Sequence, residues 1–256
     1  MILIGIDKKY QSNFFNHLNN LIMLNNESEE NQPNLLEEGM AKAFSRRKFF
    51  GIMGAGSALV VTAAACRKTN VGSSNGGVNL GSGDIGILNY AYALEQLEAA
   101  FYTQIISTPY TGISVMEQTY LTNIRDHEIA HREFFKAALS TSAIQSLQVN
   151  FSSIDFTSRT SVLGTAQAFE DLGVSAYNGA GQLITNPDYL TLAGKIVSVE
   201  ARHAAWIRDM ITPGSFADMT AVNSNGLDLE RAPNDVLAIA GTYLKTKLDA
   251  SHLPTN

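Results

Sequence analysis

Glu128 and His131 stand three residues apart, and Glu200 and His203 repeat the spacing 72 positions later. Three residues on an α-helix leave two side chains about 60° apart on one face. Each Glu-x-x-His unit therefore offers a carboxylate and an imidazole to the same neighbour. Ile124 and Ile196 precede the two glutamates by four positions, and Phe134 and Trp206 follow the two histidines by three. These apolar residues share the face and turn the polar pairs inward. A second repeat supplies two more carboxylates: Glu95, Leu97 and Tyr102 recur as Glu170, Leu172 and Tyr177, 75 residues apart. Burying four carboxylates and two imidazoles without partners costs several kcal/mol or more for each charge. Two divalent cations would offset that cost. Carboxylate and imidazole donors without thiolate suit Fe or Mn and argue against structural zinc.

Those residues need long helices to hold them. From Asp84 onward the apolar pattern has a period near 3.6 residues and little strand-like alternation. It predicts helices over 85–106, 114–139, 160–184 and 188–211, with Asp84 as the first N-cap, and a fifth over 233–248. Turns near Pro109 and Gly112, and at Asn186-Pro187-Asp188, join the first and last pairs tightly. The middle connection, 140–159, is about twenty residues long. A helix of ~25 residues is roughly 38 Å long, and about twenty extended residues can run back along it. The fold class is all-α: two hairpins joined by one long crossover, plus a C-terminal helix.

The order Glu, Glu-x-x-His, Glu, Glu-x-x-His over residues 84–211 resembles the ferritin-like superfamily. The wording around Glu95 (Leu94-Glu95-Gln96-Leu97-Glu98-Ala99) and around His203 (Glu200-Ala201-Arg202-His203-Ala204-Ala205-Trp206) is similar to its exported branch, which includes desiccation-related proteins. The resemblance implies two Fe or Mn ions per chain. Glu128 and Glu200 would bridge them, His131 and His203 would each ligate one, and Glu95 and Glu170 would close the ends. Iron, O2 or peroxide would be the partners. The implied activity is that of a di-iron oxidase or ferroxidase, or one like manganese catalase. A non-enzymatic stress or envelope module built on the same bundle is the alternative. A homo-oligomer fits the resemblance, although a lipid tether is awkward for a closed cage. Tyr102 and Tyr177 lie seven positions after Glu95 and Glu170. Each is expected above its own glutamate, as a hydrogen-bond donor, an electron source or a plain core aromatic.

Three rival readings share these residues. His127-Glu128-Ile129-Ala130-His131 also spells the His-Glu-x-x-His of zinc proteases. No third ligand follows at a usual spacing, and the repeat places Val199 opposite His127. Glu98, one turn beyond Glu95, could replace it, but its counterpart is Gly173, so the repeat favours Glu95. The inward charges could also be structural salt bridges. Gly173, Gly179 and Gly181 weaken the third helix and suggest close approach of another helix, or a local break.

The N-terminal part reads as an address. Ser45, Arg46, Arg47, Phe49 and Phe50 lead an uncharged run of 17 residues to Ala65, which resembles a twin-arginine export signal. Cys66, the only cysteine, closes that run as a lipoprotein processing site would, although Ala63 stands where the pattern prefers Leu. An uncleaved anchor is the alternative. Residues 67–83 are rich in Gly, Ser and Asn and read as a flexible tether. The expected organisation is 1–66 leader and signal, 67–83 tether and 84–256 helical domain. The protein would be periplasmic or membrane-anchored, with the export machinery as a partner. Met40 is a second candidate start. The net charge of −6 lies wholly beyond residue 65, which removes a broad basic surface and with it a nucleic-acid partner.

Overall fold

The computed structural model describes residues 76–255. The signal-like segment and Cys66 lie outside the described residues. Helices α1 (Gly83–Ser107), α2 (Val115–Leu139), α3 (Arg159–Gly181) and α4 (Pro187–Ile211) form the body, and α5 (Pro233–Ala240) follows a long loop. α1 packs along α2 and α3 along α4, with contacts between α1 and α3 and between α2 and α4. This is the expected pair of hairpins. Among the described residues no helix is long and apolar enough to cross a membrane.

Local chemistry sets the helix starts. Ser114 and Glu117 close a reciprocal capping box on α2. Asn186 caps α4, with Pro187 in its first turn. Asp84 is not the N-cap of α1; Ser82 holds that position and makes no side-chain bond. The Asp84 carboxylate instead accepts from Thr185 N and Oγ1 and from Asn186 N. It thus ties the start of α1 to the turn between α3 and α4.

Every residue of α1 from Gly86 to Ala99 is buried. A helix enclosed on all sides must be apolar or find partners for its polar groups, and α2, α3, α5 and the crossover surround this one. Asn89 Nδ2 donates to Leu80 O and Ser142 O, and Asn89 Oδ1 accepts from Ile144 N. One turn and more along, Gln96 Oε1 accepts from Leu147 N. Further on, Phe101 meets Phe151, Phe156 and Phe169. The crossover therefore runs beside α1 in the same direction and delivers α3 antiparallel to it.

Two expectations fail at the C-terminal side. The third helix stops at Gly181, where Leu183 and Ile184 turn back onto Ala180 and Gly181. The fifth stops at Ala240, passes through a short 3-10 turn (Gly241–Tyr243) and becomes extended. Its backbone is taken by other partners: Tyr243 O accepts from Asn150 N, Lys245 N donates to Gln148 O, and Leu248–Asp249 (β2) pairs in parallel with Val78–Asn79 (β1). Leu244 and Leu248 gave a helical spacing but serve a loop and a strand. The same pairing builds Val78 and Asn79, and the fully buried Leu80, into the domain, so that part of the expected tether is packed.

Candidate metal centre

The four helices bring all six repeated polar residues to one place. Glu95 comes from α1, Glu128 and His131 from α2, Glu170 from α3, and Glu200 and His203 from α4. All four carboxylates are fully buried, and Ile124 and Ile196 are buried beside them. The inward turn expected from the apolar neighbours holds for the isoleucines. Trp206 departs from it: the residue is 42% exposed, and its ring packs on Tyr120.

The distances form a two-fold pattern. His131 Nδ1 lies 2.8 Å from Glu200 Oε1, 3.4 Å from Glu95 Oε2 and 3.7 Å from Glu128 Oε2. His203 Nδ1 lies 2.8 Å from Glu128 Oε1, 3.5 Å from Glu170 Oε2 and 3.6 Å from Glu200 Oε2. Each imidazole thus gathers three carboxylates, and Glu128 and Glu200 each give one oxygen to each imidazole. Two groups of ligand-type atoms result, Glu95, Glu128, His131 and Glu200 in one and Glu128, Glu170, Glu200 and His203 in the other, all within 4.8 Å inside each group.

The donor atoms suit a pair of cations. Glu95 Oε2, Glu170 Oε2, both oxygens of Glu128 and Glu200, and Nδ1 of both histidines are buried without a hydrogen bond of acceptable geometry. Interiors rarely leave so many polar atoms unsatisfied. Oxygens and ring nitrogens that converge this closely without hydrogen-bond geometry are arranged as ligands are.

The electrostatics follow from the same crowding. Burial raises the pKa of Glu95 and Glu170, and it raises Glu128 well above the ordinary range, with the charge of Glu200 adding to it. Burial also acts on Glu200, but the close imidazoles of His131 and His203 outweigh it and leave the pKa lowered. Burial pulls His131 down, yet the close carboxylates of Glu128, Glu200 and Glu95 push it up to about 12. His203 is raised in the same way against its own burial. In the absence of cations the cluster therefore holds imidazoliums against carboxylates.

The tyrosines bond across the bundle. Tyr102 donates to Glu170 Oε1, and Tyr177 donates to Glu95 Oε1. Burial and the charge of the accepting carboxylate hold both phenols protonated. Each tyrosine thus bonds a carboxylate of the cluster, but that of the opposite helix, because α1 and α3 run antiparallel. Two other neighbours break the symmetry. His127 Nδ1 lies 2.9 Å from His203 Nε2, with the rings stacked 5.1 Å apart. Burial and the two neighbouring imidazoles lower the His127 pKa. His127 belongs to neither ligand group, so the His-Glu-x-x-His reading as a zinc site is not supported. Glu98 is buried, and a Cβ at Gly173 would come 3.2 Å from its Oε1. Burial, and then the charges of Glu128 and Glu200, raise the Glu98 pKa well above normal. Glu98 thus lies beside the centre, outside both ligand groups, while Glu95 occupies the ligand position.

Sequence reasoning missed the groups that fix these helices. Asn89 and Gln96 hold the crossover on α1. Arg208 makes a bidentate contact with Asp171, next to Glu170, at 2.7 and 2.8 Å. Asp171 stands inside one repeated segment and Arg208 two residues past the other, and their counterparts Gln96 and Lys136 do not repeat the pair, so periodicity gave no signal.

Comparison with known families places this geometry. The sequence profile described as a ferritin-like domain matches residues 83–213, just over half of the chain. A search of curated proteins finds no match.

Proposed function

The chain belongs to the ferritin-like domain family, and on that premise we propose that its bundle is an exported di-metal carboxylate centre for iron or manganese, handling iron with O2 or peroxide. The observation that carries this reading is the shared use of Glu128 and Glu200, each with one oxygen toward each histidine. Such carboxylates are placed to bridge. Glu95 and His131 would complete one position, Glu170 and His203 the other. Tyr102 and Tyr177 orient the two terminal carboxylates from the opposite hairpin and keep their second oxygens directed inward. Arg208 fixes Asp171 and with it the register of α3 against α4. A pair of iron or manganese ions would supply the one-electron steps that O2 or peroxide chemistry requires.

Export is part of the proposal. The twin arginines Arg46 and Arg47 and the following apolar run support it, and Cys66 would supply a lipid anchor. A route that carries folded proteins suits a domain loaded with metal beforehand.

One observation favours a second reading. The raised histidines neutralise much of the carboxylate charge without any cation. The same bundle could then serve as a non-enzymatic stress or envelope module with a vestigial centre. Metal analysis and an Fe(II) oxidation assay on purified protein separate the two. Iron or manganese near two per chain with turnover supports the first. Metal-free protein whose melting ignores both ions supports the second.

A further inference from the structure

Between α2, α4 and the loop after α4 lies an open groove with a volume of about 730 Å³, lined in part by Tyr120, Asn123, His127, Arg202, Trp206 and Phe216. Small-molecule sites typically span roughly 300–1,000 Å³. Its walls are aromatic. Tyr120 and Trp206 pack with ring centres 4.6 Å apart, and Phe216 is 58% exposed on the same groove. Its polar groups are unspent. The Arg202 guanidinium has one contact, 3.3 Å to Ser198 Oγ, and no carboxylate partner among the described residues. The Asn123 amide has no hydrogen-bond partner among the described residues. Asp209, the one acidic residue of the lining, is already bonded to Gly214 N at 2.7 Å. On the α2 side the exposed His127 uses Nδ1 on His203, and its other ring nitrogen has no partner among the described residues.

The groove exists on one side of a centre that is otherwise two-fold. The repeat places Val199 opposite His127, so His131 has no imidazole behind it. His203 lines the groove together with His127, so a molecule there lies against the back of one histidine of the centre without being a ligand of the centre.

We propose that this groove binds a small planar aromatic acid, with its ring against Trp206 and Phe216, its carboxylate on Arg202 and Asn123, and its far edge over His127. Flat apolar walls with a single unpaired guanidinium recognise that combination: stacking serves the ring, and a charge-assisted bond serves the acid. As a statement of what the centre acts on, the proposal rests on the di-metal reading; as a binding site it stands apart from it.

The chain has one tryptophan, Trp206, so intrinsic tryptophan fluorescence reports the groove alone. The full chain is titrated with 4-hydroxybenzoate, as isolated and after chelation. A saturable change is expected in both. Arg202→Gln, or the uncharged probe 4-hydroxybenzamide, should weaken binding about tenfold or more, the loss of one charge-assisted hydrogen bond. Arg202→Lys should recover part of it. Cyclohexanecarboxylate, which has the charge without the flat ring, should leave the spectrum unchanged. A response that does not saturate, or equal affinity in Arg202→Gln, overturns the proposal. So does a spectrum that changes with protein concentration alone, which would put a second copy of the chain in the groove. Probe binding in a chain that takes up no metal would remove the di-metal reading and leave the groove. Two ions per chain without probe binding would do the reverse.

Discussion

Tyr102 on α1 is hydrogen-bonded to Glu170 on α3, across the bundle from the glutamate of its own helix. Tyr177 returns the bond to Glu95. Because the two helices are antiparallel, a seven-residue step along one reaches the carboxylate of the other. The two hairpins are thereby locked at the level of the centre, and one register serves packing and chemistry together.

Tyr102→Phe leaves Glu170 Oε1 buried without its donor, and Tyr177→Phe does the same to Glu95. An unsatisfied buried acceptor costs about 1–3 kcal/mol, so each substitution should lower the stability of the metal-free protein by that much in urea denaturation. Loss of a group that orients a ligand typically weakens metal affinity about 10–100-fold. Chelator competition should show that loss in both variants, and to a similar degree. If Tyr102→Phe changes neither quantity, the tyrosines are core aromatics only.

Three glycines of α3 should respond to alanine with different signs. At Gly179 a Cβ would lie 1.9 Å from the Arg231 carbonyl oxygen, in a loop held there by Arg231 N on Ser175 O. Backbone cannot yield as a side chain can, so Gly179→Ala should cost about 3 kcal/mol or more. At Gly173 the neighbour is the Glu98 carboxyl, 3.2 Å away; Gly173→Ala should cost less and shift Glu98. Gly164 is exposed with nothing within 4 Å, and Gly164→Ala should stabilise the helix by about 0.5–1 kcal/mol. Denaturant melts of the three variants check the order, and equal effects would contradict the packing described at Gly179.

The centre was legible because its residues repeat. Glu128 with His131, and Glu200 with His203, announce a helix face, and the apolar residues around them announce its burial. The helix ends were less legible. Asp84 has the chemistry of a cap, but tertiary contact gives its carboxylate to Thr185 and Asn186. Leu244 and Leu248 have helical spacing, but β1 and the crossover compete for their backbone. The glycines of α3 suggested a second helix close by; at Gly179 the close neighbour is the loop backbone at Arg231, which lies far along the chain. Partners set by tertiary contact leave no periodic trace, and that is also why the crossed tyrosine bonds could not be read from spacing along one helix.

The export reading makes its own prediction. Arg46→Lys together with Arg47→Lys should hold the protein in the cytoplasm, because a twin-arginine receptor reads the guanidinium pair. Cys66→Ser should move exported protein from the membrane fraction to the soluble one, since stable anchoring needs the attached chains. Fractionation with an antibody against the helical domain measures both. Continued export of the lysine variant would mean another route, and membrane association without Cys66 would mean an uncleaved apolar segment.

The ligand cluster fixes how stability depends on pH. Glu95, Glu98, Glu128 and Glu170 have folded pKa values raised above about 4.5, with burial as the leading cause, and His131 is raised from about 6.5 to about 12. A group with a raised folded pKa holds its proton more tightly in the folded chain. Its contribution is complete below the unfolded pKa and is lost as pH rises through the folded one. Glu200 has the opposite sign, because its pKa is lowered. Its contribution is present above about 4.5 and is lost only on acidification below that. Between about pH 5 and pH 8 it therefore adds nothing to the slope, while the other carboxyls, and from about 6.5 His131 and His203, drive it downward against the single opposing contribution of His127, whose pKa is lowered. Metal-free protein should melt at a lower temperature at the higher pH. Cations need deprotonated carboxylates and neutral ring nitrogens, so anaerobic Fe(II) or Mn(II) should raise the melting temperature most where the metal-free protein is weakest. His131→Ala combined with Glu200→Ala removes a ring from one ligand group and a carboxylate from both, and it should abolish that metal response while the helices remain by circular dichroism. A metal-free melting temperature that climbs from pH 5 to pH 8 would contradict the pKa directions. A metal-induced rise that survives the double substitution would mean that the cations bind somewhere other than between the four helices.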